Sequence, residues 1–209
     1  MEKPRNNPIL RNSLLIASLL GLILTSIFLS RRSVNQIQQA SVSIYKDRLV
    51  PTAIIAKLTS QVYSKRLLLE SYMLGKTKPE PNAVTYALDR SNRQIDSLMT
   101  EFVATNLTHK EAEQFDLLKQ RLEVYNQLEG DLTRNLTDSP QAQQILFVGR
   151  GNTAFSQVIQ TLTDLSALQV KVGQELLNQS NGQSNYIYVL TALQIGLVLL
   201  ISLALFWKL

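Results

Sequence analysis

The chain has 209 residues, a formal net charge of +5 and no cysteine. That length holds one folded domain besides any membrane-bound part, and the missing thiols exclude a disulfide framework, a thiolate metal site and a cysteine nucleophile. Lys3, Arg5, Arg11 and Lys208 sit at the two ends, which leaves 17 basic and 15 acidic residues in 31–186; a balance this close lacks the concentrated basic face that phosphate contacts need, so no nucleic-acid partner is expected.

Residues 1–12 form a basic tail, and 13–30 carry no charge, with Leu14 to Leu29 almost wholly aliphatic. This is about long enough to cross a bilayer. It reads as an uncleaved anchor, because Ile27-Phe28-Leu29 stands where a signal peptidase would want small residues. A second uncharged run extends from Leu176 to Trp207, and 186–209 reads as a second span, with Tyr186, Tyr188 and Trp207 as interfacial anchors. Gln194 and Gly196 fall mid-span; they mark either a helix–helix contact or one tolerated polar residue. The three basic residues before the first span are offset by Arg31 and Arg32 directly after it, so positive-inside counting does not choose an orientation.

Between the spans, residues 31–185 read as four amphipathic helices, at about 31–74, 82–105, 109–136 and 140–180. In the first, Ile55, Leu58, Val62, Leu69 and Tyr72 keep the three-and-four spacing of a bundle seam, with Lys65 intruding. Pro51 should kink this helix or restart it. Gly75 to Pro81 is a breaker, and Asn82 is a good cap for the second helix, whose stripe is Val84, Leu88, Ile95, Leu98 and Phe102. Thr108-His109-Lys110-Glu111 is a capping box opening the third, with Phe115, Leu118, Leu122, Tyr125, Leu132 and Leu136 in register. Ser139-Pro140 opens the fourth, which carries Phe155, Val158, Leu162, Leu165, Val172 and Leu176 and runs on toward the second span, with Asn181-Gly182 able to loosen the junction. The fold class is therefore all-α: an antiparallel up-down-up-down four-helix bundle flanked by two transmembrane helices. The outer pair of helices should outreach the inner hairpin by about 20 Å.

The octapeptide Ile44-Tyr45-Lys46-Asp47-Arg48-Leu49-Val50-Pro51, set just after one span, resembles the start of the first helix in the sensor domain of methyl-accepting chemotaxis receptors. The Thr108–Glu111 helix start and the leucine-rich fourth helix continuing into a span are similar to that family too, and the resemblance covers 13–207. It implies a membrane-anchored extracytoplasmic sensor in transmembrane signalling, on a bacterial inner membrane, with both ends cytoplasmic and 31–186 outside. It implies parallel homodimers with the first helix at the interface. Val50, Ile54 and Leu68, each off the seam, widen that helix's apolar stripe and fit such a surface. Chemoreceptors continue past the second span into a linker and a signalling helix, whereas this sequence ends at Leu209. Output is expected through a partner, such as a full-length chemoreceptor or sensor kinase, or through a further C-terminal part. The other reading is a two-span accessory protein that assembles with itself or with a receptor and binds no small ligand.

Catalytic chemistry finds little footing. The single histidine, His109, lies in a first helical turn and reads as solvated, and ordinary zinc sites, phosphate loops and catalytic triads are missing from the sequence. Neither an enzyme nor a cofactor is expected. A ligand level is expected instead. Lys65, Arg66, Arg90, Arg93 and Arg150 lie at a common depth of roughly 15 Å below the far end of the bundle by helical rise. Gly149 and Gly151 could open the wall beside Arg150. Such a ring could hold a small carboxylate or similar anion; the alternative is five solvated charges paired with Glu70, Asp89 and Asp96.

Overall fold

A computed structural model describes residues 8–74, 81–135 and 140–207. These are almost entirely helical and include no strand: α1 (Pro8–Ile44), a π-helical turn (Tyr45–Leu49), α2 (Val50–Met73), α3 (Pro81–Val103), α4 (His109–Asn135), α5 (Pro140–Phe147) and α6 (Arg150–Phe206). The expected breaker at 75–80, the 137–139 connection, Leu136, Lys208 and the tail up to residue 7 lie outside the described residues. Two compact units result, Ser43–Gln174 and the pair of segments Met1–Val42 and Glu175–Leu209.

Pro51 acts one turn ahead of itself. It has no N–H for the carbonyl of Asp47, and its ring would press on that carbonyl in a regular helix. The chain widens instead through Tyr45–Leu49, where the Val50 N–H bonds to the Tyr45 carbonyl. Thr52 Oγ1 donates to the Arg48 carbonyl at 2.6 Å. At α4 the capping box forms as the sequence predicts. Thr108 N–H donates to Glu111 Oε2 at 2.6 Å, and Glu111 N–H donates to Thr108 Oγ1 at 3.3 Å. Helix α3 starts at Pro81, one residue before the expected cap Asn82, as suits a proline at a first helical position.

The core of the unit Ser43–Gln174 forms in two parts. One cluster holds Ile54, Leu58 and Val62 of α2, Ile95 and Phe102 of α3, Phe115, Leu118 and Leu122 of α4, and Val158, Leu162 and Leu165 of α6. The second holds Leu69, Tyr72 and Met73 with Val84, Leu88, Leu132, Ala142 and Leu146. The expected second surface on the first helix is not spare: Ile54 is buried in the first cluster, Val50 packs against it, and Leu68 packs against the second. The stripe is wide because α2 touches more than one neighbour in its own bundle.

The fourth bundle helix breaks between α5 and α6. Val148 and Gly149 N–H both bond to the Gln144 carbonyl, at 3.0 and 2.9 Å. A Cβ on Gly151 would stand 3.0 Å from the Ile145 carbonyl oxygen, and one on Gly149 would stand 3.3 Å from Ile145 Cα. These glycines permit a close backbone crossing. Downstream, α6 passes through Asn181-Gly182 without interruption.

Two helical stretches, within Ile16–Met73 and Gln141–Leu203, contain segments long and apolar enough to cross a membrane. Those segments are only 6% and 0% buried inside the protein, unlike the core helix of a soluble domain. Ser26 Oγ of α1 donates to Gln194 Oε1 of α6 at 2.5 Å, so Gln194 makes a helix–helix contact.

Candidate functional site

The two apolar clusters are separated by polar residues on three bundle helices and by a backbone break on the fourth. On α2 these residues are Lys65 and Arg66, on α3 Asn92, on α4 Asn126 and Glu129, and between α5 and α6 the break is at Gly149–Gly151. Lys65 is fully buried. Its Nζ lies 2.6 Å from Glu129 Oε2 and donates at 2.6 Å to both Asn92 Oδ1 and Asn126 Oδ1. The ammonium is thus held by one carboxylate as an ion pair and by two amide oxygens as hydrogen bonds. The ring of Tyr125 flanks it, 5.5 Å from Nζ to the centroid.

Arg66 lies beside this cluster. Its Nε donates to Glu70 Oε1 at 2.6 Å, and the guanidinium sits 5.2 Å from the Phe155 ring centroid and 5.6 Å from that of Phe147. Buried Arg66 Nη1 and both Glu129 carboxylate oxygens have no hydrogen-bond partner among the described residues, Oε2 being met only by the Lys65 ion pair. Burial pushes the Tyr125 hydroxyl far above its ordinary range, and the neighbouring Glu129 charge adds to that. Burial likewise raises the Glu129 carboxyl, against the opposing pull of Lys65.

Of the five cations expected at one level, the structure takes Lys65 and Arg66 into the core and leaves Arg90, Arg93 and Arg150 exposed. Glu70 pairs with Arg66 as the alternative reading expected. The glycines beside Arg150 serve the backbone crossing and do not open the wall. Sequence reasoning missed Asn92, Asn126 and Glu129. Their signal was present, since Asn92 fits the seam between Leu88 and Ile95, and Glu129 the seam between Tyr125 and Leu132.

A second buried polar contact joins the two sequence motifs. Arg48 Nη1, from the π-turn, lies 2.7 Å from Glu111 Oε1 and 3.2 Å from Gln169 Oε1. Glu111 is wholly buried and already closes the capping box of α4. One carboxylate thus fixes the start of α4 and holds the turn before α2, with α6 contributing Gln169.

A widened helix start ahead of a proline, a boxed third helix pinned to it and a two-part core describe a four-helix bundle. A family model described as a four-helix-bundle sensory module for signal transduction matches residues 12–184. The chain belongs to this family. It is a chemoreceptor-type sensory module, and the family is a signalling rather than a catalytic one. No curated protein matches the chain. In this sensory module, the octapeptide and the capping box are two halves of one buried contact, and the seam lysine is the centre of a polar layer.

Proposed function

We propose that this sensory module is anchored by two membrane passes in a bacterial inner membrane, with residues 31–186 outside and both ends in the cytoplasm, and that it passes ligand occupancy from the bundle to its spans. The observation that carries this reading is that a sensory family match coincides with terminal helices whose apolar segments are almost wholly unburied. Cysteines placed at Lys57 and Lys3 should label oppositely with an impermeant reagent in intact cells. Labelling at Lys3 with none at Lys57 would reverse the topology.

The ligand level we propose is the polar layer and its rim. A small carboxylate would meet Arg66 from within and Arg90, Arg93 and Arg150 from the surface, paired through their guanidinium forks. Lys65, already paired with Glu129 and bonded to two amides, would set the geometry of the layer. A panel of small organic acids should raise the melting temperature of the full chain, and Arg93→Gln with Arg150→Gln should remove the rise while leaving the unliganded melting temperature within a degree or two. A rise that survives both substitutions sinks this site.

The same module would work as a parallel homodimer through an outer face of the first bundle helix. Ala53, Ala56, Ser60, Tyr63, Leu67 and Leu74 are exposed and follow one another by three, four, three, four and seven residues, the spacing of a coiled-coil seam. That pattern also favours the second reading, an accessory protein that offers this seam to a full-length receptor or sensor kinase. In membranes, cysteines at Ala56 and Ser60 should give disulfide-linked dimers, and one at the buried Ile54 should not. Monomers at the two seam positions, with crosslinks to a co-expressed receptor, would decide for the accessory reading.

A further inference from the structure

The unit made of Met1–Val42 and Glu175–Leu209 carries an unusual charge pattern. No acidic residue occurs between Glu2 and Asp47, and none follows Glu175. Arg31 and Arg32 end the first uncharged run, so these two cations stand in a stretch with no carboxylate of its own to pair with. Arg31 heads a groove of about 370 Å³ between α1 and α6, walled by Ile27, Val34, Ile187 and Leu190, with Ser30 beside it. A second groove, of about 140 Å³, shares Ser26, Leu190 and Gln194 with the first and is lined beyond them by leucines, Leu22 and Leu193 among them.

The hydroxyls at the inner end of the first groove are already engaged. Ser26 and Gln194 bond to each other, and Thr191 Oγ1 donates to the Ile187 carbonyl at 2.9 Å. What remains is a cation and a hydroxyl at one end of an apolar channel. The matching occupant has an anionic oxygen-rich head and a hydrocarbon tail. A guanidinium forks to a phosphate with two parallel hydrogen bonds, a short-range contact that is the same in either leaflet, and on the cytoplasmic side basic pockets between membrane helices hold lipid headgroups through such contacts.

We propose that this groove binds one anionic glycerophospholipid, its phosphate on Arg31 with Ser30, and an acyl chain running along Ile27 and Leu190 toward Leu22 and Leu193. The site rests on the membrane-anchored reading above. A bound lipid there would fill the seam between the two spans next to the Ser26–Gln194 hydrogen bond.

Native mass spectrometry of the full chain from detergent micelles with equal phosphatidylglycerol and phosphatidylcholine tests it. The expected result is preferential retention of phosphatidylglycerol. Arg31→Gln should weaken that preference about ten-fold or more, the loss expected for one hydrogen-bonded charged contact. Arg32→Gln, outside the groove, should leave the preference unchanged, and Leu190→Trp, which fills the channel while keeping Arg31, should abolish it. Equal retention of the two lipids, or a preference that Arg31→Gln leaves intact, overturns the proposal. So does full displacement by inorganic phosphate, which would leave an anion site with no lipid character. Carbonate extraction of membranes separates the two failures: release of the chain defeats the anchored reading, whereas an integral chain without lipid preference defeats only this one.

Discussion

Lys65→Met is expected to cost the bundle about 3–5 kcal/mol, because it strands a carboxylate at a site with almost no water. Glu129 is buried, and its Oε2 faces Lys65 Nζ at 2.6 Å. Lys65→Met combined with Glu129→Leu should recover most of that loss, since hydrophobic replacement of a whole buried pair is often neutral or better. The recovery will be incomplete, because Asn92 and Asn126 each lose a donor in either variant. Chemical denaturation of the two single variants and the double variant closes the cycle. Additive losses would mean that the pair is not coupled and that the layer is a set of independent contacts.

The same layer predicts a pH effect of definite sign. The Glu129 carboxyl is raised above its ordinary value of 4.5, chiefly by burial. A raised value in the folded state means the folded chain binds this proton more tightly than the unfolded one. The associated stability is therefore complete below about 4.5 and falls as pH rises through the raised value. The groups facing Glu129 are Lys65 and Arg66 from α2 and Tyr125 from its own helix. Glu129→Gln should flatten melting temperature against pH in the window just above 4.5. A slope there identical to that of the unchanged protein would remove Glu129 as its source.

Leu165→Ala is expected to cost about 2–5 kcal/mol, and Leu122→Ala a similar amount, through the cavities they leave. Both lie in the larger apolar cluster, Leu165 fully buried from α6 and Leu122 nearly so from α4. Interiors packed at crystal density relax only partly around a missing isobutyl group, and the lost contacts are not regained. Val170→Ala, at an exposed position of the same helix, is the control and should change stability by less than about 0.5 kcal/mol. Unchanged melting for both leucine variants would mean that the seams have been assigned to the wrong faces.

The sequence alone determined the helices, most seams and the ends that have local causes. A period of three and four residues is a property of one helix, so Leu58, Val62, Leu118, Leu162 and Leu165 could be placed in the core without knowing what they touch. The Thr108–Glu111 box and the disturbance ahead of Pro51 are local in the same sense, set by backbone groups within a few residues. The tertiary structure decided everything that depends on which helices face each other. Lys65 interrupts a seam, but nothing near it in the chain reveals that its carboxylate is Glu129, 2.6 Å away on α4. Arg66 and Arg90 look alike as arginines at one depth, and only the packing of Phe147 and Phe155 takes the first inside and leaves the second in water. The width of the apolar stripe on α2 was visible too, yet a stripe does not name its partner. Ile54 turned inward because a helix in a bundle has two neighbours to cover, and that is a fact of assembly that no periodicity records.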